Sequence, residues 1–133
     1  MLRRRWLAGG LLALLAAGCG PRPGRGPAPA PPVRVHVTNH NRADVNLYVL
    51  RGGSRLRLGT VVAGNTTVLV LRHLSRAPVQ QLGFEVQRIG AEGVFALQRV
   101  TVAPGQAVHI RLEDMLTTSE IFVADEGSER PLP

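Results

Sequence analysis

The chain has one cysteine, Cys19, and no lysine at all; every one of its basic side chains other than histidine is an arginine. A single cysteine excludes an internal disulfide framework, so whatever folds must be held by non-covalent packing. Aromatics are scarce, with one Trp, one Tyr and three Phe. That leaves few rings for stacking nucleic-acid bases, and Trp6 lies in the first apolar run. No segment carries a sustained helical stripe of apolar residues, no serine stands in a G-x-S-x-G elbow, and no glycine loop has phosphate-binding spacing. The adjacent acid pairs Glu113-Asp114 and Asp125-Glu126 do not make an acid/base dyad, because neighbours on a strand point to opposite faces. These absences leave an enzymatic centre without a candidate, and no cofactor is expected.

What is present begins at the N-terminus. Met1 to Arg5 is strongly positive, Trp6 to Ala17 is apolar and uncharged, and Ala16-Ala17-Gly18-Cys19 is a run of small residues. Charged head, apolar middle and small-residue exit have the order of an export signal. The apolar run is well short of the roughly 20 residues that span a bilayer as a helix. Residues 20–32, GPRPGRGPAPAPP, are almost entirely Gly, Pro, Ala and Arg. Such a stretch cannot pack and favours extended backbone.

From residue 33 the pattern is period two. Val33, Val35 and Val37 alternate with Arg34, His36 and Thr38. Val45, Leu47 and Val49 follow, then Leu56 and Leu58, Val68 and Val70, then Leu82, Phe84 and Val86. Val94, Ala96, Val100 and Val102 come next, and Val108, Ile110 and Leu112 after them. Such alternation marks strands with one buried face. Gly-, Asn- and Pro-containing turns separate the runs. The stretch 112–119 has room for one helical turn at most, and Ile121-Phe122-Val123 reads as an added edge strand. The expected fold is all-β, a small antiparallel β-sandwich of about seven or eight strands (Ig-like or transthyretin-like). The expected organisation is a signal peptide over 1–18, a cysteine-led tether over 19–32, one domain over 33–123 and a flexible tail over 124–133.

The segment Leu14 to Gly20, with a small residue directly before Cys19, resembles the lipobox of bacterial lipoproteins; Ala16 stands where Leu is commonest. The resemblance implies cleavage between Gly18 and Cys19, acylation of Cys19 on sulfur and on its new amino group, and attachment to a membrane. Two or more acyl chains anchor stably where one does not. Gly20, rather than Asp, after the cysteine implies the periplasmic face of the outer membrane rather than the inner membrane. The alternative is a passive thiol in a discarded signal, leaving a soluble exported protein. Three further patches are similar to a recurring domain of uncharacterised bacterial lipoproteins: the Asn39-x-Asn41 step, Val45-x-Leu47-Tyr48-Val49 and Arg57-Leu58-Gly59-Thr60-Val61, with Val102 to Asp114 resembling its closing strands. That resemblance supports the fold and the envelope address and implies no activity.

The formal charge is +7, with arginines concentrated before residue 112 and acids after it. Arg34, Arg55, Arg57 and Arg111 fall on outward strand positions and are the candidates for a face that binds anionic envelope material through guanidinium forks; the alternative is a solvated sheet. His36 and His40 have H-x3-H spacing across a strand–turn junction, with Asp44 nearby. They are weak metal candidates, since metal sites need three or four convergent ligands. Asn39, Asn41 and Asn46 either line a polar rim or satisfy turn backbone, and turns are the commoner use. The function expected is a lipid-anchored, non-catalytic interaction module working through a sheet face or an edge strand. The alternative is a periplasmic binder of an anionic ligand or a metal. Nucleic acid is not an expected partner.

Overall fold

The structure, a computed structural model, describes Gly24, Gly26, residues 31–72 and residues 79–127. Cys19, Gly18, the signal region and the last six residues lie outside the described residues. Nine strand segments make two sheets: β1 (Val33–Asn39), β2 (Val45–Arg51), β3 (Ser54–Val61), β4 (Thr66–Leu71), β5 (Gln80–Arg88), β6 (Phe95–Ala96), β7 (Val100–Val102), β8 (Gln106–Leu112) and β9 (Glu120–Asp125). The first sheet runs β4-β1-β8-β9, and the second β3-β2-β5-β6, with β7 also paired to β5. The chain is an all-β sandwich and does not close into a barrel. Among the described residues the one helical element is a 3-10 turn, Leu116–Thr118.

The alternation explains the core. Val35 and Val37 from β1, Val45 and Leu47 from β2, Leu82, Phe84 and Val86 from β5, and Val108, Ile110 and Leu112 from β8 all point between the sheets and are buried. Phe84 is the largest side chain wholly out of water. Two-residue turns set the β2–β3 register, with Gly52 and Gly53 at φ of +53° and +80°; successive positive φ values suit a tight hairpin turn that matches strand twist.

Several features depart from the sequence expectation, among them Leu56, which the alternation places inward and which is exposed. The sandwich is not wholly antiparallel, because β1 and β8 pair in parallel, Val35 opposite Val108 and Val37 opposite Ile110. On β4, Val68 and Val70 face outward and are exposed, while Leu71 is buried and Leu69 packs against the core. Both alternating sets of β4 are apolar, so alternation alone does not set its phase. The run from Val94 to Val102 is a broken strand. Glu85 faces Ala96 and Leu82 faces Val100, so two residues of β5 oppose three of its neighbour, a bulge. Leu97 N–H still donates to the Phe84 carbonyl across the break, at 2.8 Å. Finally, β9 continues through Asp125, two residues beyond Val123.

A second register shift, between Leu47 and Tyr48, interrupts the β2–β3 ladder. It makes Leu58 the extra residue and so brings Thr60 to the same side of β3 as Arg57 and Arg55. Near it, β3 and β4 come together from the two sheets. A Cβ on Gly59 would lie 2.9 Å from Leu69 Cδ2, so glycine here permits the close approach of the two edges.

Candidate functional site

Four regions carry polar or reactive side chains: one end of the sandwich, the two outer faces, and a cleft beside β5.

The Asn39-x-Asn41 step closes one end. Asn39 is fully buried. Its Nδ2 donates to the carbonyls of Ala43 and Val61, both at 3.1 Å, and its Oδ1 accepts the Asn41 N–H at 2.9 Å. Asn41, also buried, donates from Nδ2 to the Glu113 and Asp114 carbonyls at 3.2 and 3.1 Å, and its Oδ1 accepts the Ala43 N–H. Asp44 Oδ1 accepts the Ala63 N–H at 2.9 Å. These side chains stand in for backbone partners where three connections meet, as buried polar groups must. With its capacity spent inward, this cluster is a structural tie and not a ligand rim. Asn46 lies elsewhere, on the outer face of the second sheet.

That outer face holds Arg55, Arg57, Tyr48, Glu85, Asn46 and Thr60. Arg55 Nε lies 2.7 Å from Glu85 Oε2, and its guanidinium carbon sits 3.5 Å from the centre of the Tyr48 ring. Arg57 Nη2 donates to Asn46 Oδ1 and Thr60 Oγ1 at 2.9 and 2.6 Å. Arg34 and Arg111 are on the first sheet, facing the opposite way. Arg34 pairs with Glu126 at 2.8 Å and Arg111 with Glu120 at 3.4 Å. The four arginines expected to form one anion-binding face are therefore split between two faces, and three of them already hold a carboxylate. A sandwich has two outer surfaces, and outward alternation does not say which one a residue reaches.

On the first sheet's outer face, register brings Val68, His36, His109 and Phe122 into one row across all four strands. The His36 and His109 rings stack with centroids 4.7 Å apart and planes 10° apart, and His109 stacks on Phe122 at 5.0 Å and 7°. Imidazole lone pairs lie in the ring plane, so near-parallel rings direct them side by side instead of onto one metal ion. His40 is exposed in the β1–β2 loop, where its N–H donates to the Leu112 carbonyl at 2.7 Å. The structure thus pairs His36 with His109 rather than with His40. Among the described residues no three His, Cys, Asp or Glu side chains gather closely enough to hold a metal ion.

The sheet edges differ in kind. The β3 edge carries Arg55 and Arg57 and a bulge, the β9 edge carries Glu120 and Asp125, and the β6–β7 edge is broken. β4, Thr66-Thr67-Val68-Leu69-Val70-Leu71, has no charge, proline, glycine or bulge. Charges, breaks and bulges are the devices that keep edges from pairing with other chains, and β4 has none of them.

The last region is a cleft of about 300 Å³ whose lining includes Val86, Arg88, Ala91, Glu92, Phe95 and Leu116. Arg88 was not singled out by composition or motif. Its signal is in the alternation: one step of two beyond Leu82, Phe84 and Val86 puts Arg88 on the core side of β5, opposite Val45.

No protein-family model matches the chain, and no curated protein matches it. The fold and these sites define the class, a small all-β sandwich domain. Among the described residues no helix is long and apolar enough to cross a membrane.

Proposed function

We propose that this is a lipid-anchored envelope protein whose sandwich is a non-catalytic interaction module. Cys19, cleaved and acylated, holds the chain at the periplasmic face of the outer membrane, and the Pro/Gly-rich segment spaces the domain from it. The domain then accepts an extended, uncharged segment of a partner envelope protein along β4. Strand addition of this kind draws affinity from main-chain hydrogen bonds and specificity from alternate side chains. The observation that carries this reading is the contrast among edges: among the described residues three carry a guarding charge, break or bulge and β4 carries none. The exposed Val68 and Val70, continuous with the His36–His109–Phe122 row, give the incoming strand an apolar neighbour.

Two measurements in the native host test the two halves. Intact mass and membrane partitioning of the natural chain and a Cys19→Ser variant test the anchor; a diacylglyceryl-sized increment lost together with membrane association supports it, and an unmodified soluble chain refutes it. A photo-crosslinker at Val68, with and without Val70→Lys, tests the edge. Crosslinks to an envelope protein that disappear with Val70→Lys, at unchanged melting temperature, support strand addition. Crosslinks indifferent to the lysine, or none, refute it.

A further inference from the structure

Arg88 is a charged side chain on the inner face of a strand. Its Nη2 donates to the Asp114 backbone carbonyl, which also accepts from Asn41. Its Nε is buried and meets no acceptor among the described residues. A buried N–H without an acceptor is costly, although Arg88 as a whole is only half-buried and its Nη2 bond lies at the surface. Among the described residues no carboxylate pairs with Arg88. Asp114 directs its own carboxylate to Arg42, at 3.2 Å, and Arg55, not Arg88, holds Glu85.

The cleft beside this arginine has room for a small guest, with polar and apolar wall in similar measure. Val86, Phe95 and Leu116 give it apolar walls from β5, β6 and the 3-10 turn, and Val94 adds an exposed apolar lip. Polar groups set among apolar walls are the usual make-up of a small-molecule site; here Arg88 and Glu92 bring charge of both signs beside those walls, and about 300 Å³ is at the small end of such sites. Glu92 also lines the cleft and brings a negative charge to it.

We propose that this cleft binds a short aliphatic monocarboxylate. The carboxylate turns the guanidinium toward the cleft and accepts from Nε and one Nη in the side-on fork that arginine offers. The alkyl chain lies along Val86, Phe95 and Leu116. Glu92 disfavours a second negative charge on the guest, which selects a monoanion over a dicarboxylate or a phosphate. About 300 Å³ is enough for a short chain. This site is independent of the β4 edge, since β4 lies at the edge of the other sheet.

Sodium hexanoate is a suitable probe, with 1-hexanol and inorganic phosphate as controls. In a methyl-labelled full chain, hexanoate should produce saturating shifts of the Val86, Val94 and Leu116 methyl signals, while hexanol and phosphate at matched concentration do not. Arg88→Met should weaken hexanoate binding about tenfold or more, the scale of a lost charged hydrogen bond. Because Arg88 also ties Asp114, a second variant, Ala91→Phe, enlarges a lining side chain to fill the cleft and leaves Arg88 in place. It should keep the spectrum of the core and lose the hexanoate response. Absence of saturable shifts, equal response to hexanol or phosphate, or undiminished binding by a folded Arg88→Met or Ala91→Phe chain would overturn the proposal.

Discussion

Asn39 and Arg55 are both partnered polar side chains, one sealed at the end of the sandwich and the other on its outer face. Asn39 meets three backbone groups and no water. Arg55 meets Glu85 and the Tyr48 ring with two fifths of its side chain in solvent. In the first place the alternative to each bond is an orphaned buried group. In the second it is hydration. Depth, more than the number of partners, therefore sets how much each contributes, and the two can be separated by substitution.

The largest effect belongs to Asn39. Asn39→Ala strands two carbonyls and an N–H, and a loss of about 3 kcal/mol in chemical denaturation follows from the cost of unsatisfied buried groups. Asn39→Asp sharpens the point, because it keeps the acceptors and buries a carboxyl. Burial raises a carboxyl's folded-state pKa, so this variant's stability should be greatest in acid and fall as pH rises past about 4, its unfolded value. A pH-independent loss would contradict that. Asn41→Ala should cost about 2 kcal/mol and loosen the β8–β9 connection, read as faster amide exchange over 113–119 than elsewhere.

Smaller losses are expected on the faces. Arg55→Met should cost about 1 kcal/mol or less, with part of it insensitive to salt because the cation–π contact adds to the ion pair. Smallest are Arg34→Ala and Arg111→Ala, each within about 0.5 kcal/mol and erased in high salt. If either exposed pair matched Asn41 in a urea melt, the contrast between depth and partner number would fail.

The parts of the fold visible in the sequence are those where the two faces of a strand differ in chemistry. Val33-Arg34-Val35-His36-Val37 states its own orientation, and so does Gln81 to Gln87. The turn chemistry around Gly52 and Gly53 was equally readable, as was the use of Asn39 and Asn41 in turns. β4 was not, because Val68-Leu69-Val70-Leu71 is apolar on both sides. The candidate arginines were legible as outward but not as belonging to one surface. Arg88 was legible only by extending the β5 alternation past its apolar residues.

What the sequence determined by itself is local: strand propensity, turn positions, the identity of most core residues and the absence of disulfide bracing. Those follow from side-chain period and backbone preference within a few neighbours. Tertiary structure decided the parallel pairing of β1 with β8, the inward phase of Leu69 and Leu71, and the separation of Arg34 and Arg111 from Arg55 and Arg57. It also decided the cross-strand stack of His36, His109 and Phe122 and the cleft beside Arg88. Each of these depends on which strands distant in sequence become neighbours. That choice is made by packing two sheets around one shared core, and no local pattern contains it.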